Sequence, residues 1–183
     1  IRVKLTFLRI AMQCYRSPRK ALGVIRQLLA FKQAINGKEG MRRCVKTGGK
    51  YYFSMYIPGY PSPLFNKYIQ TELFKILPHT LPVNQLQVLQ LAITSRCPLK
   101  CEHCFEWKNL NQEDPFNTEE LLQLVKKFGD EGLAILHLTG GEPMVKQARL
   151  LEIISRTNAA HEYYILSSGL NLTINNALAL KKS

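Results

Sequence analysis

The sequence predicts an α/β fold with parallel strands for residues 83–183, preceded by a small α+β appendage over residues 1–82. After the segment Pro78–Pro82, short apolar runs alternate with segments of helical periodicity, which is typical of successive right-handed strand–helix units. One run, Leu133–Thr139, is almost wholly apolar and predicts a strand buried on both faces. The appendage instead combines helical stretches with a glycine-centred hairpin pattern.

The appendage begins with two predicted helices over residues 3–36, separated near Ser17-Pro18. Ser is a favoured N-cap and Pro fits the first helical turn, so a second helix is expected to start there. Its apolar face is predicted from residues at helical spacing, namely Val24, Leu28, Phe31 and Ile35. Gly37 and Gly40 are expected to end this helix.

The rest of the appendage predicts a hairpin followed by a third helix. The runs Arg42–Thr47 and Lys50–Ile57 flank two glycines and are rich in β-branched and aromatic residues, which favours two short paired strands. Pro58–Pro61 then requires a loop. The Ser-Pro pair at positions 62 and 63 opens a helix that is predicted to end near Ile76.

Three strand–helix units follow in the main domain. Strands are predicted at Gln87–Thr94, Leu133–Thr139 and Tyr163–Ser167, and helices at Thr118–Glu131, Gln147–Thr157 and Thr173–Lys182. Asn117 and Glu120 form a capping-box pattern before the first of these helices, and Gly132 is expected to close it. This order predicts a parallel sheet.

The formal net charge of +12 is concentrated at the N-terminus. Residues 1–60 contain 13 Lys or Arg and a single acid, Glu39, whereas residues 61–183 contain 12 charges of each sign. Such a segment can attract anionic lipid, an acidic peptide or nucleic acid, or it can simply be the solvated face of packed helices. The aromatic residues are not interleaved with the basic ones in a recognition pattern, so nucleic acid is not the expected partner.

Composition also bounds the compartment. The content of 46% hydrophobic residues supports a packed core. Five unevenly spaced cysteines do not form a secreted disulfide framework, so we expect a cytoplasmic protein. The apolar stretches Leu5–Met12 and Val24–Phe31 are interrupted by basic residues and fall short of the roughly 20 residues that a membrane span needs. No transmembrane helix is predicted.

Three cysteines in one loop carry the strongest chemical signal. Cys97, Cys101 and Cys104 follow the first predicted strand of the main domain with the spacing C-x3-C-x2-C. Thiolates hold iron–sulfur clusters, and four ligands fill a four-iron cluster. Three cysteines would leave one iron open to chelate a small molecule.

A zinc site is the alternative for the same loop, since three thiolates and one histidine make a tetrahedral structural site. His103 lies between two of the thiols and is a poor fourth ligand. The other histidines in the sequence are His79, His137 and His161. Zinc sites usually contain paired C-x2-C elements, and no second pair is present. Cys14 and Cys44 stand alone and are interpreted as ordinary thiols.

The cysteine loop and a second motif, Gly140-Gly141-Glu142-Pro143 after the next predicted strand, together resemble the radical S-adenosylmethionine (radical SAM) superfamily. The resemblance covers residues 86–183 and implies a partial β/α barrel of six units. Only three units precede Ser183, so residues 83–183 are expected to be the first half of a barrel that is truncated at its C-terminal side. We expect this chain alone to turn over substrate poorly or not at all.

The resemblance implies a cofactor set and a reaction. Cys97, Cys101 and Cys104 would hold three irons of a [4Fe-4S] cluster, and S-adenosylmethionine (SAM) would occupy the fourth. An electron from an external flavodoxin- or ferredoxin-like reductant would cleave SAM to methionine and a 5′-deoxyadenosyl radical, which abstracts hydrogen from the substrate.

The resemblance also implies cofactor contacts, although it assigns no catalytic residue. Most of these contacts come from the glycine motif at the methionine end, Gly140, Gly141, Glu142 and Pro143. His103 stands where the family usually has an aromatic residue near adenine, which is a departure. Ser167 and Ser168 match a third motif in part and would bind the cofactor or, alternatively, cap the helix near Thr173. Glu106 and Trp107 would face the active site or lie at the surface.

The substrate is left open by the sequence. The basic helices and the hairpin weakly resemble the upstream region of radical enzymes that mature peptides, because a strand edge can recruit a peptide and a basic face can attract an acidic leader. A peptide or protein substrate is therefore one hypothesis, and a small metabolite is the other.

Overall fold

The computed structural model describes residues 2–36, 44–84, 86–157 and 161–182. The chain divides into two compact units, an N-terminal unit (Ile1–Gln87) and a C-terminal unit (Val88–Ser183). Within the described residues, no helix has both the length and the apolar character to cross a membrane.

The N-terminal unit contains three helices and one hairpin. Its elements are α1 (Arg2–Tyr15), α2 (Pro18–Asn36), β1 (Val45–Thr47), β2 (Lys50–Tyr52) and α3 (Pro63–Ile76). The predicted break before Pro18 is confirmed, and the Ser62 side chain caps α3 by accepting a hydrogen bond of 3.0 Å from the Phe65 amide. The hairpin is confirmed as an antiparallel pair, although its strands are shorter than predicted. Gly37 and Gly40 lie outside the described residues.

The core of this unit lies between its three helices. Ile10 of α1, Leu28 of α2 and Leu73 of α3 are all buried in it. The prediction for the apolar face of α2 was only half right, because Phe31 and Ile35 are 53% and 64% exposed. Helical spacing identifies residues that share a face, but it does not show how far along the helix the neighbouring helices extend.

The C-terminal unit repeats strand and helix three times. Its elements are β3 (Val88–Ala92), α4 (Thr118–Asp130), β4 (Ile135–Thr139), a short 3-10 turn (Pro143–Lys146), α5 (Gln147–Arg156), β5 (Glu162–Ile165) and α6 (Ile174–Lys182). The three strands form a parallel sheet in the order β3-β4-β5, as predicted. In the part of the chain that the structure describes, this sheet is open and does not close into a barrel.

Local signals fix two of these elements. Asn117 accepts a hydrogen bond from the Glu120 amide at 3.0 Å, and Glu120 accepts one from the Asn117 amide at 2.7 Å, so the predicted capping box is confirmed. The first four residues of β4 are fully buried, which agrees with the apolar run that predicted a central strand. Because all three strands are parallel, their carboxyl ends point to the same edge of the sheet.

Candidate functional site

The cysteine loop starts directly beyond β3 and is anchored by Asn111. The Asn111 side chain accepts a hydrogen bond from the Cys97 amide at 3.0 Å and donates one to the Cys97 carbonyl at 2.9 Å. Asn111 has φ 59°, a left-handed conformation that Asn tolerates better than most residues. Because the backbone amide and carbonyl of Cys97 are both hydrogen-bonded, the backbone that carries the first thiol is held in place.

A partly buried ion pair supports the start of the same loop. The carboxylate of Asp114 accepts hydrogen bonds from the Ser95 amide at 2.7 Å and from the Thr94 hydroxyl at 3.0 Å, and it pairs with Arg149 at 2.9 Å. Burial would raise the pKa of Asp114, but these hydrogen bonds and the Arg149 charge outweigh it, so the pKa lies below its usual value. Arg149 also donates to the Ile93 carbonyl at 2.8 Å.

The three thiols of the loop line one cavity of about 450 Å³ at the carboxyl ends of β4 and β5. All three are free; Cys97 and Cys104 are half-buried and Cys101 is exposed. The Cys104 amide donates to the Cys101 carbonyl at 3.1 Å, which makes a tight turn between the second and third thiols. The other walls include Gly140, Gly141, Glu142, Ser167 and Ser168.

Gly140 and Gly141 bring the end of β4 against the start of the cysteine loop. The Gly141 amide donates to the Thr94 carbonyl at 2.7 Å, and the next amide donates to the Arg96 carbonyl at 2.8 Å. A Cβ on Gly140 would lie 2.3 Å from the Thr94 carbonyl oxygen, and one on Gly141 would lie 2.4 Å from that of Arg96. The glycines therefore permit a close approach between two backbone segments, besides lining the cavity.

Glu142 is the most highly connected side chain in the cavity wall. It is only 2% exposed and accepts hydrogen bonds from the Ser167 hydroxyl at 2.7 Å and the Ser168 hydroxyl at 2.6 Å. The amides of Met144 and Ser168 donate to it at 2.9 and 2.8 Å. This carboxylate joins the turn after β4 to the turn after β5.

The two serines do not cap α6, which was one of their two predicted roles. Thr173 takes that role, because its hydroxyl accepts a hydrogen bond from the Asn176 amide at 3.3 Å while the Asn176 side chain accepts one from the Thr173 amide at 2.7 Å. Ser167 and Ser168 face Glu142 and the cavity instead.

The remaining predicted positions lie around the cysteine loop. His103 and Glu106 line a second cavity of about 990 Å³, which shares Cys101 and Cys104 with the first. Pro143 is buried at the start of the 3-10 turn. Trp107 is exposed with the Lys108 ammonium 5.3 Å from its ring centre, so it lies at the surface, which was the second of its predicted alternatives.

Sequence comparison assigns this site to a family, since residues 91–183 match the profile of the Radical SAM superfamily. The chain belongs to the radical SAM superfamily. The matched segment contains every cavity-lining residue named above. Membership implies a [4Fe-4S] cluster and SAM as cofactors, so the iron–sulfur interpretation of the cysteine loop is favoured over zinc.

Curated relatives of this radical SAM chain include molybdenum cofactor biosynthesis proteins and GTP 3′,8-cyclases. Molybdenum cofactor biosynthesis protein 1 of Drosophila melanogaster is 33% identical over 91 residues, which cover 46% of this chain and 16% of that protein. The Mus musculus protein of the same name is 27% identical over 150 residues, covering 75% of this chain and 22% of the relative. A GTP 3′,8-cyclase of Aquifex aeolicus is 29% identical over 93 residues, which cover 48% of this chain and 29% of that protein.

The chain thus spans less than a third of the length of these relatives. No solved structure matches it significantly.

The donor set fits the cluster that the radical SAM family implies. Three free thiols surround one cavity, and thiolates are the ligands of iron–sulfur clusters. Within the described residues, no three or more His, Cys, Asp or Glu side chains, the loop cysteines included, converge closely enough to hold a single metal ion, so the fit depends on the chemistry of the thiols and their shared cavity. Cys14 and Cys44 lie in the N-terminal unit, and burial raises the pKa of Cys14 to about 11, as expected for an inert thiol.

Glu142→Gln is expected to destabilise the C-terminal unit by about 2–3 kcal/mol at neutral pH, because an amide NH₂ would oppose groups that donate hydrogen bonds. Burial would raise the pKa of Glu142, but the hydrogen bonds from Ser168 and Ser167 outweigh it and hold the pKa below its usual value. The contribution of the carboxylate is therefore complete above the unfolded pKa of about 4.3 and is lost as the pH falls through the lower folded pKa.

Urea unfolding across this pH range measures the difference in the free energy of unfolding between the parent chain and Glu142→Gln. This difference should become smaller in acid. The matched control is Glu152→Gln on α5, an exposed glutamate whose surface ion pair with Arg156 should contribute little to stability. Equal losses of stability in the two variants would contradict the role of Glu142 in joining the turns after β4 and β5.

Proposed function

We propose that this chain is part of a radical SAM enzyme whose active site is the cavity bounded by the cysteine loop and the turns after β4 and β5. The observation that supports the proposal is the convergence of three free thiols, the Gly140–Glu142 turn and two serine hydroxyls on that one cavity. Cys97, Cys101 and Cys104 would hold the [4Fe-4S] cluster. When bound, the cluster and SAM supply a 5′-deoxyadenosyl radical that abstracts a hydrogen atom from the substrate.

The residues of the chain would bind and orient these groups. Gly140, Gly141 and Glu142 would line the methionine end of SAM, and Ser167 and Ser168 would contribute hydroxyl groups beside it. Because the Glu142 carboxylate already accepts four hydrogen bonds, we assign it first to holding the two turns together.

His103 and Pro143 complete the proposed SAM site. His103, on the second cavity, would face the adenine in place of the usual aromatic residue. Pro143 would fix the exit of the chain from the glycine turn, since its ring restricts φ at the start of the 3-10 turn.

We further propose that the open three-stranded sheet is the first half of a β/α barrel, which makes residues 83–183 the start of the catalytic domain and residues 1–82 an appendage. An external one-electron reductant in a reducing, cytoplasmic environment would drive the reaction.

A peptide or protein is our proposed substrate class, supported by the basic N-terminal unit and the antiparallel hairpin. The alternative is a small molecule, which the likeness to a GTP 3′,8-cyclase favours. That likeness covers only 29% of the relative, so it supports the shared family chemistry more strongly than a shared substrate.

The decisive experiment is anaerobic reconstitution with iron and sulfide, followed by reduction in the presence of SAM and an assay for 5′-deoxyadenosine. A brown protein that forms 5′-deoxyadenosine is expected. A colourless protein with stoichiometric zinc would overturn the proposal. Adding an acidic peptide or GTP to the same assay compares the substrate classes, because the right class should raise the yield of 5′-deoxyadenosine.

A further inference from the structure

The outer face of α1 carries exposed leucine and arginine side chains. Leu5, Leu8 and Arg9 lie on the side of α1 away from the buried Ile10 and Cys14. Leu5 is 60% exposed and Leu8 is 37% exposed, and Arg9 is exposed beside them. An isolated exposed leucine is ordinary, so this face gains meaning only because the neighbouring helix continues it.

The outer face of α2 alternates arginine and leucine. Arg19, Leu22, Arg26 and Leu29 follow one another at intervals of three and four residues, and all four are exposed. Leu29 is 57% exposed. Since α1 and α2 contact each other and both contact α3, the faces turned away from α3 lie on neighbouring helices. We call these two faces the Leu/Arg surface.

The charges of the Leu/Arg surface are uncompensated. Neither α1 nor α2 contains an acidic residue. Among the described residues, no ion pair involves the exposed basic side chains Lys4, Arg9, Arg16, Arg19, Lys20 and Arg26. Lys32, which does not belong to this surface, pairs at 2.5 Å with the buried Glu72. The unit thus neutralises its buried Glu72 with lysine and leaves its outer arginines without an ion-pair partner among the described residues.

We propose that the Leu/Arg surface binds the headgroup region of an anionic lipid bilayer, so that the N-terminal unit attaches the protein to a membrane surface without spanning it. Arginine interleaved with exposed leucine fits such an interface, because the guanidinium groups pair with lipid phosphates while the leucines enter the acyl boundary. Nucleic acid would use the charges but leaves exposed leucines without a role. This inference does not depend on the proposed reaction.

Co-sedimentation of the full chain with vesicles tests the proposal. We expect binding to phosphatidylcholine vesicles that contain phosphatidylglycerol, little binding to pure phosphatidylcholine, and release as salt is raised. The double substitution Arg9→Gln/Arg26→Gln should weaken binding by roughly tenfold or more, since each basic side chain near an anionic surface contributes about a fivefold gain. Leu5→Ser/Leu29→Ser should also weaken binding while leaving its salt dependence in place.

The matched control is Lys126→Gln/Lys127→Gln, which removes two exposed charges from α4 and should leave vesicle binding unchanged. Circular dichroism of each variant checks that the helices are retained. Equal binding by the arginine variant and the parent chain, or the absence of vesicle binding, would overturn the proposal. Tight binding of a single-stranded RNA oligonucleotide without vesicle binding would do the same and would assign the surface to nucleic acid.

Discussion

Replacing Cys101 with alanine is expected to abolish the brown chromophore and reduce bound iron from about four atoms per chain to near zero. The cysteine loop offers three thiols, and a cluster that retained only two protein ligands would not survive reconstitution and desalting. The substitution should leave the fold intact, because Cys101 is exposed and its backbone carbonyl still accepts the hydrogen bond from the Cys104 amide. The absorbance of the thiolate-to-iron charge-transfer bands measures the loss of the cluster, and iron analysis measures the loss of bound iron.

Cys44→Ala is the matched control, since Cys44 is also exposed and free but lies in the N-terminal unit. We expect it to retain full iron content and to form 5′-deoxyadenosine at the rate of the parent chain. If both variants lost iron to the same extent, the cysteine loop would not be the cluster site. If Cys101→Ala kept its iron, the cluster would have to be held by ligands outside this loop.

Much of the fold was predictable because its signals are local. The Ser62 cap, the break at Pro18 and the Asn117/Glu120 capping box each depend on residues within a few positions of one another, and all three are confirmed. The buried run of β4 identified the central strand for a similar reason, since continuous apolar sequence is required when both faces are covered.

The supports of the cysteine loop could not be predicted from the sequence. Asn111 holds Cys97 across 14 positions, and Asp114 reaches both Ser95, 19 positions away, and Arg149, 35 positions away. Nothing in the local sequence marks these partners, because they meet only after the loop folds back and α5 packs. The positive φ of Asn111 gives a weak signal at best, since Asn occurs in many turns.

The role of Glu142 also changed once its contacts were known. The motif alone pointed to a carboxylate directed at the cofactor, whereas the structure shows its oxygens satisfied by Ser167, Ser168 and two amides. The predicted serines and the predicted glutamate were therefore correct as a group, but the sequence could not show that they bind one another. This connection makes the geometry of the turns the sensitive feature of the site.

Gly141→Ala is expected to disrupt that geometry strongly. The new Cβ would meet the Arg96 carbonyl oxygen at 2.4 Å and the Ser95 carbonyl oxygen at 2.7 Å, and neither backbone atom can rotate away. The segments must separate, which breaks the hydrogen bond of 2.7 Å from Gly141 to Thr94. Overpacking and lost backbone hydrogen bonds together should cost about 3–4 kcal/mol, measured by urea unfolding, and iron incorporation should fall severalfold.

Gly169→Ala is the control for this prediction, because it changes the backbone strain without creating a steric clash. Gly169 has φ 83°, so alanine there is strained by about 1–2 kcal/mol, but nothing lies within 4 Å of the new Cβ. We expect Gly169→Ala to lower stability modestly and to keep its iron content. Equal losses of iron in the two variants would contradict the role of Gly141 as a contact point. A loss confined to Gly141→Ala would instead support it, because only there does a methyl group push the cysteine loop away from the end of β4.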